Sequence, residues 1–95
     1  YKTNILPSNV DPYRILDLDI MSWIDKREYE ENGNSEEGLK RHHGIIADDL
    51  EKVGLSEFVD YINGEVENYD KRLFALLIPI VRDLKTRLDR LENVV

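Results

Sequence analysis

Residues 73 to 95 read Leu73-Phe74-Ala75-Leu76-Leu77-Ile78-Pro79-Ile80-Val81-Arg82-Asp83-Leu84-Lys85-Thr86-Arg87-Leu88-Asp89-Arg90-Leu91-Glu92-Asn93-Val94-Val95. Phe74, Leu77, Val81, Leu84, Leu88, Leu91 and Val95 recur at alternating spacings of three and four, the a/d seam of a heptad repeat. So narrow an apolar seam needs another helix against it, and the chain has few elements left to supply one. Self-association through this segment is the first expectation. Pro79 divides the element, because a proline inside a helix removes the bond to Ala75 and costs about 3 kcal/mol unless the helix kinks or starts nearby. Before it, Ile78 and Ile80 broaden the apolar face, as for a helix packed on its own body. After it the flanks are charged. Asp83 with Arg87 and Lys85 with Asp89 have i,i+4 spacing. In this register Arg87 is a g residue and Glu92 the e residue five positions on, the pairing that links neighbouring helices of a parallel coiled coil. Val and Leu at a with Leu at d match no single oligomer order.

The rest of the chain must supply a globular body. Ninety-five residues make one domain, and a chain of this size buries only roughly 60 to 65% of its unfolded surface. Asp11-Pro12 is a helix start, with a capping carboxylate and a proline at the first position; this helix is expected to turn Tyr13, Leu16 and Ile20 inward. A short strand is expected from Ile20 to Ile24. Residues 25 to 41 hold only Tyr29 and Leu39 as large apolar side chains, with Asn32-Gly33 near the middle, and read as a protruding hairpin or mobile loop. Ala47, Leu50 and Val53, with Asp48-Asp49 ahead and Gly54 behind, describe a short helix closing on a left-handed glycine. Phe58 to Ile62, Asn63-Gly64 and Glu65 to Tyr69 form a hairpin signature, and Asp70 can cap the next helix. The fold class is therefore α+β: a small mixed body over residues 1–72 and a C-terminal coiled-coil helix over 73–95, one domain overall.

Composition narrows function by exclusion. Thirteen Lys+Arg against twenty Asp+Glu give a net charge of -7, and Lys40, Arg41, His42 and His43 are the densest basic cluster, so nucleic acid and anionic membrane are disfavoured as partners. The longest apolar run, Leu73 to Val81, is about half of a membrane span. The opening Tyr-Lys-Thr-Asn-Ile has neither a basic n-region nor an apolar h-region and reads as part of something longer, not as a signal peptide. Without cysteine there is no disulfide framework and no thiolate metal site. His42-His43 near Asp48, Asp49 and Glu51 lack any metal-ligand spacing and read as solvated loop histidines. Ser8, Ser22, Ser35 and Ser56 lie in no nucleophile-elbow context. No cofactor or metal is expected.

Four motifs in order carry a family resemblance: His43-Gly44-Ile45-Ile46-Ala47-Asp48-Asp49-Leu50, the hairpin ending in Val66-Glu67-Asn68-Tyr69, Leu77-Ile78-Pro79-Ile80-Val81-Arg82-Asp83-Leu84, and the final coiled coil. Together they resemble the C-terminal intramolecular chaperone, auto-processing domain of phage tail spikes, endosialidases and neck appendages. Tyr1-Lys2-Thr3-Asn4-Ile5 resembles that family's opening motif, Ser-x-x-Arg-hydrophobic-Lys-x-Asn-Ile. The resemblance implies a homotrimer that aligns and helps fold an upstream fibrous segment of its own precursor, in the host cytoplasm during virion assembly, and then releases itself by proteolysis. It makes a serine five residues before Lys2, upstream of this sequence, the nucleophile and Lys2 the general base; this chain as it stands would be inactive. Gly44, Ala47, Asp48 and Tyr69 are its further motif positions, and Phe74, Leu77, Val81, Leu84, Leu88, Leu91 and Val95 its trimer interface. Asp48 departs from the family, which more often has glutamine there. The alternative expectation is a non-catalytic coiled-coil oligomerisation or adaptor domain.

Overall fold

Seven apolar side chains form the core: Ile15, Leu50, Leu55, Val59, Leu73, Leu76 and Ile80. Leu50, Leu55 and Leu73 are wholly enclosed, and among the described residues no polar side chain is buried with them. The structure, a computed structural model, describes residues 1–93. A 3-10 turn, Pro12–Asp17, is followed by β1 (Met21–Trp23), α1 (Lys26–Glu31), β2 (His42–Gly44) and α2 (Ala47–Lys52). Then come a short 3-10 turn, Ser56–Phe58, β3 (Val59–Ile62), β4 (Glu65–Tyr69), a 3-10 segment Lys71–Leu76 and α3 (Leu77–Glu92). The class is mixed α+β, with two separate two-stranded antiparallel sheets, β1 with β2 and β3 with β4.

The first turn begins as the sequence dictates. The Asp11 carboxylate accepts the Tyr13 N–H at 3.0 Å and Pro12 takes the first position. It is a 3-10 helix, however, and that overturns the expected inward face. Three residues per turn align Pro12, Ile15 and Leu18, so Ile15 enters the core while Leu16 and Ile20 stay largely exposed and Tyr13 only partly covered.

Residues 25 to 41 are a different object from the expected hairpin or loop. Asp25 caps α1 by accepting the Glu28 N–H at 3.0 Å, and Asn32-Gly33 closes this helix: Asn32 is its C-cap and Gly33 has φ +65°. The Asn32 side-chain amide then holds the carbonyls of Ser35 and Glu37. The missed signal is Asp25-x-x-Glu28, the spacing of a capping box. Either side of this excursion, β1 and β2 pair Met21 with Gly44, Ser22 with His43 and Trp23 with His42. His42 and His43 therefore belong to a strand, and the His42 ring lies 6.2 Å from that of Trp23.

The centre of the body follows its sequence signals closely. Leu50 sits on the inner face of α2, whose exit is a left-handed reversal: the Leu55 N–H donates to the Leu50 carbonyl at 2.8 Å and that of Gly54, at φ +80°, to the Glu51 carbonyl. This is the Schellman pattern with its apolar contact, because Leu50 and Leu55 are both fully buried. Asn63 and Gly64, both at positive φ, turn β3 into β4. Glu67 has no partner across the ladder and bulges between the Asp60–Asn68 and Tyr61–Val66 pairs. Asp70 accepts the Arg72 N–H at 2.9 Å and starts the C-terminal element. That element is 3-10 up to Leu76 and α from Leu77. Pro79 thus falls in the first turn of α3, where backbone N–H groups have no helical acceptor, and its penalty is avoided.

Gly54 also lies beneath the Arg14 side chain, whose guanidinium donates to the Val53 carbonyl at 3.3 Å and would sit 1.7 Å from a Cβ on residue 54. Gly54→Ala is expected to cost about 1 to 2 kcal/mol through its left-handed backbone, and Gly54→Asn clearly less, because asparagine tolerates that region. Urea denaturation of the two variants checks this; equal losses would assign the cost to the Arg14 collision instead of the backbone.

Candidate self-assembly site

The C-terminal element presents two stripes. Leu73, Leu76, Ile80, Asp83 and Arg87 follow one another at spacings of three, four, three and four, and this stripe faces the body as far as Asp83. Leu73, Leu76 and Ile80 are core residues. Asp83 accepts a hydrogen bond from the Tyr13 hydroxyl and pairs with Arg87 at 3.2 Å. Beyond Asp83 the body no longer touches the helix through its core.

The second stripe is the heptad seam. Phe74, Leu77, Val81, Leu84, Leu88 and Leu91 are 43, 40, 62, 56, 56 and 70% exposed, so each of the six waits for a cover the chain does not provide. Val95, the seventh expected position, lies outside the described residues. Burying the exposed half of such a side chain returns about 1 kcal/mol. The flanking ion pairs, Lys85–Asp89 at 3.0 Å and Asp83–Arg87, are the expected i,i+4 pairs and contribute only tenths of a kcal/mol. Any association here is governed by the seam.

The whole molecule shows the same incompleteness. Its surface of 8199 Å² compares with about 5,700 Å² for a folded monomer of this mass. Its radius of gyration of 18.8 Å compares with about 12 Å for a compact domain of this length.

The remaining expected site residues are dispersed. Lys2 is exposed, with its ammonium 5.4 Å from the centre of the Tyr1 ring. The hydroxyls of Ser8 and Ser35 accept the N–H groups of Val10 and Glu37, and that of Ser22 accepts from Arg41; no serine hydroxyl is bonded to Lys2 among the described residues. Gly44 ends β2 under the Trp23 ring, which would lie 3.4 Å from a Cβ there. Ala47 opens α2, Asp48 is exposed in its first turn, and Tyr69 ends β4 half-buried against the core. These four lie on three different elements. Among the described residues no three His, Asp or Glu side chains are grouped as a metal site, and no helix is long and apolar enough to cross a membrane.

Val10, Pro12, Phe58, Leu76 and Pro79 contribute to an apolar cleft of about 400 Å³. Its charged side chain, Arg72, is already held by Asp70 at 2.8 Å. The seam, not a pocket, is the chemically distinctive surface. Protein-family models, curated proteins and solved structures gave no match to this chain.

Tyr13 and Asp83 were not paired by any sequence signal, being seventy residues apart. Their bond holds the Asp83 carboxyl below the usual carboxylate range, helped by the Arg87 charge, and pushes the Tyr13 hydroxyl above the usual phenol range. A depressed acid contributes stability above its unfolded pKa of about 4, and a raised phenol below its unfolded value of about 10. Tyr13→Phe should therefore lower the unfolding midpoint at pH 7, with the difference from wild type shrinking as pH falls below 4 or rises above 10. An equal difference at pH 3 and pH 7, read by chemical denaturation, would remove the hydrogen bond as its source.

Proposed function

We propose that this chain is a C-terminal intramolecular chaperone of a phage tail spike, fibre or neck appendage. It assembles as a parallel homotrimer, holds three copies of the preceding segment in register while they fold, and is released by self-cleavage. One observation supports the assembly most directly: all six described seam positions are exposed while the same helix spends its other face on the core. The surface excess of about 2,500 Å² over a monomer of this mass is large enough for contacts with two neighbours at roughly 800 Å² each. The order of three comes from the family resemblance.

Cleavage would proceed by attack of a serine hydroxyl, five residues before Lys2, on the peptide carbonyl that precedes it. Lys2 would take the hydroxyl proton and pass it to the leaving amine, which turns the peptide bond into an ester on the serine oxygen; water would then hydrolyse this ester, leaving a carboxylate on the upstream segment and the free serine hydroxyl on the released domain. A lysine serves as such a base near neutral pH only when desolvation or a neighbouring cation lowers its pKa. Because Lys2 is exposed in the single chain, the enclosure it needs is supplied by the assembled precursor. After release the folded fibre cannot unfold along the assisted route, which confers kinetic stability.

The same exposed seam also fits a non-catalytic oligomerisation or adaptor domain, and the two readings part at the protease step. Sedimentation equilibrium should give a trimer for the wild type and a monomer for Leu84→Asp or Leu88→Asp; a wild-type chain that stays monomeric at micromolar concentration overturns the assembly. A chain extended upstream through a Ser-x-x-Arg should cut itself, and Lys2→Ala should slow the cut at least a hundredfold, the usual scale for a general base. Cleavage at an unchanged rate would exclude Lys2, and the absence of a serine upstream would leave the adaptor reading.

A further inference from the structure

We propose that in the assembly each body reaches across to the next chain, with Leu16 of one protomer covering Ile78 of its neighbour. The proposal rests on the parallel self-association described above. With Phe74, Val81 and Leu88 at a and Leu77, Leu84 and Leu91 at d, the body-facing stripe occupies c and g: Leu76 and Asp83 at c, Leu73, Ile80 and Arg87 at g. The opposite flank, e, carries Lys71, Ile78, Lys85 and Glu92. Of these four Ile78 is the apolar one, and it is 58% exposed. Both Ile78 and Ile80 were expected against the body of their own chain, and of the two Ile80 is in the core.

In a parallel bundle the g flank of each helix faces the e flank of the next. A body fixed to the g flank is therefore carried against the neighbour's e flank, and the relation repeats around a cyclic axis until it closes. The 3-10 turn Pro12–Asp17 is the part of the body on that flank, because Ile15 shares the core with Ile80 and Tyr13 bonds to Asp83. This turn carries Leu16 at 60% exposure. In-register helices set a neighbour's Ile78 level with Leu77 to Ile80, the height at which Ile15 packs.

Surface area supports a contact beyond the seam. A leucine-sized side chain hides roughly 60 to 120 Å² of apolar surface, so six of them hide at most about 700 Å², a small part of the excess. A second copy is the occupant that continues the seam onto Ile78 without a change of symmetry.

The chain has no cysteine, so introduced ones report cleanly. Leu16→Cys chains mixed with Ile78→Cys chains, refolded and oxidised, should give a disulfide joining one of each, since such a bond needs Cα atoms within about 4.4 to 6.8 Å. Leu88→Cys, in the seam, serves as the control for assembly. Ile78→Glu, at a site exposed in the single chain, should leave the fold intact by circular dichroism and weaken association at least tenfold. Seam cross-linking without the 16–78 bond, together with unchanged association of Ile78→Glu, overturns the body-to-neighbour contact and leaves the assembly standing. Failure of the Leu88 cross-link in a monomeric chain overturns both.

Discussion

The packing of Leu73, Leu76 and Ile80 against Leu50, Leu55 and Val59 is the contact on which the rest depends. It joins the middle of the chain to its C-terminal element, and it fixes which side of the C-terminal helix is spent. An α-helix that buries a stripe at c and g cannot also bury a and d against the same body, because the stripes lie about 100° apart on the cylinder. Intramolecular packing thus determines the direction in which the seam is offered. With a core of seven side chains, the monomer sits at the lower edge of what a single hydrophobic core can sustain.

The body around that core is a collar and not a closed shell. β1 and β2 form an isolated ribbon that carries α1 between its strands, and β3 and β4 form a second pair. Two-stranded ribbons are marginal in water without a face to pack on. Here the second ribbon is tied to α2 by the Tyr61 hydroxyl bonding to Glu51, and the first is held to the α1 excursion by Arg41, which bridges Ser22 and Glu36. These are exposed polar ties with little individual weight. Apolar burial near Leu50 and Leu55 carries the fold; the second ribbon shares in it through Val59, with Val66 and Tyr69 packed alongside, whereas the first contributes no residue to the core.

What could be read in the sequence was whatever has a local cause. Gly54 after an apolar-periodic run, Asn63-Gly64 between strand-like runs and Asp70 ahead of the last helix each act within a few residues, and each is found in its expected role. The 12–17 turn was misread because its start signal is local while its pitch is not: 3-10 and α begin alike, and only the later alignment of Ile15 and Leu18 separates them. Asn32-Gly33 left a hairpin and a loop both open because the dipeptide supplies positive φ to hairpins and helix ends alike, and Asp25 and Glu28 are the arbiters. The heptad seam was visible as a pattern. That the chain has little to cover it with could be reasoned from what remains of the sequence; the Tyr13–Asp83 bond and the exclusion of Ile78 from the core depend on residues distant in sequence and had no local trace.

Past Asp83 the helix has no support from its own body. The stretch from Leu84 to Glu92 is shorter than the roughly 12 to 15 residues that an isolated helix needs in water. It propagates from the turns of α3 that are anchored on the core, and under the proposed assembly its helicity and the contact between chains would reinforce each other. Under that proposal chain concentration would act as a stability variable for the terminal turns, which the single chain holds from one end only.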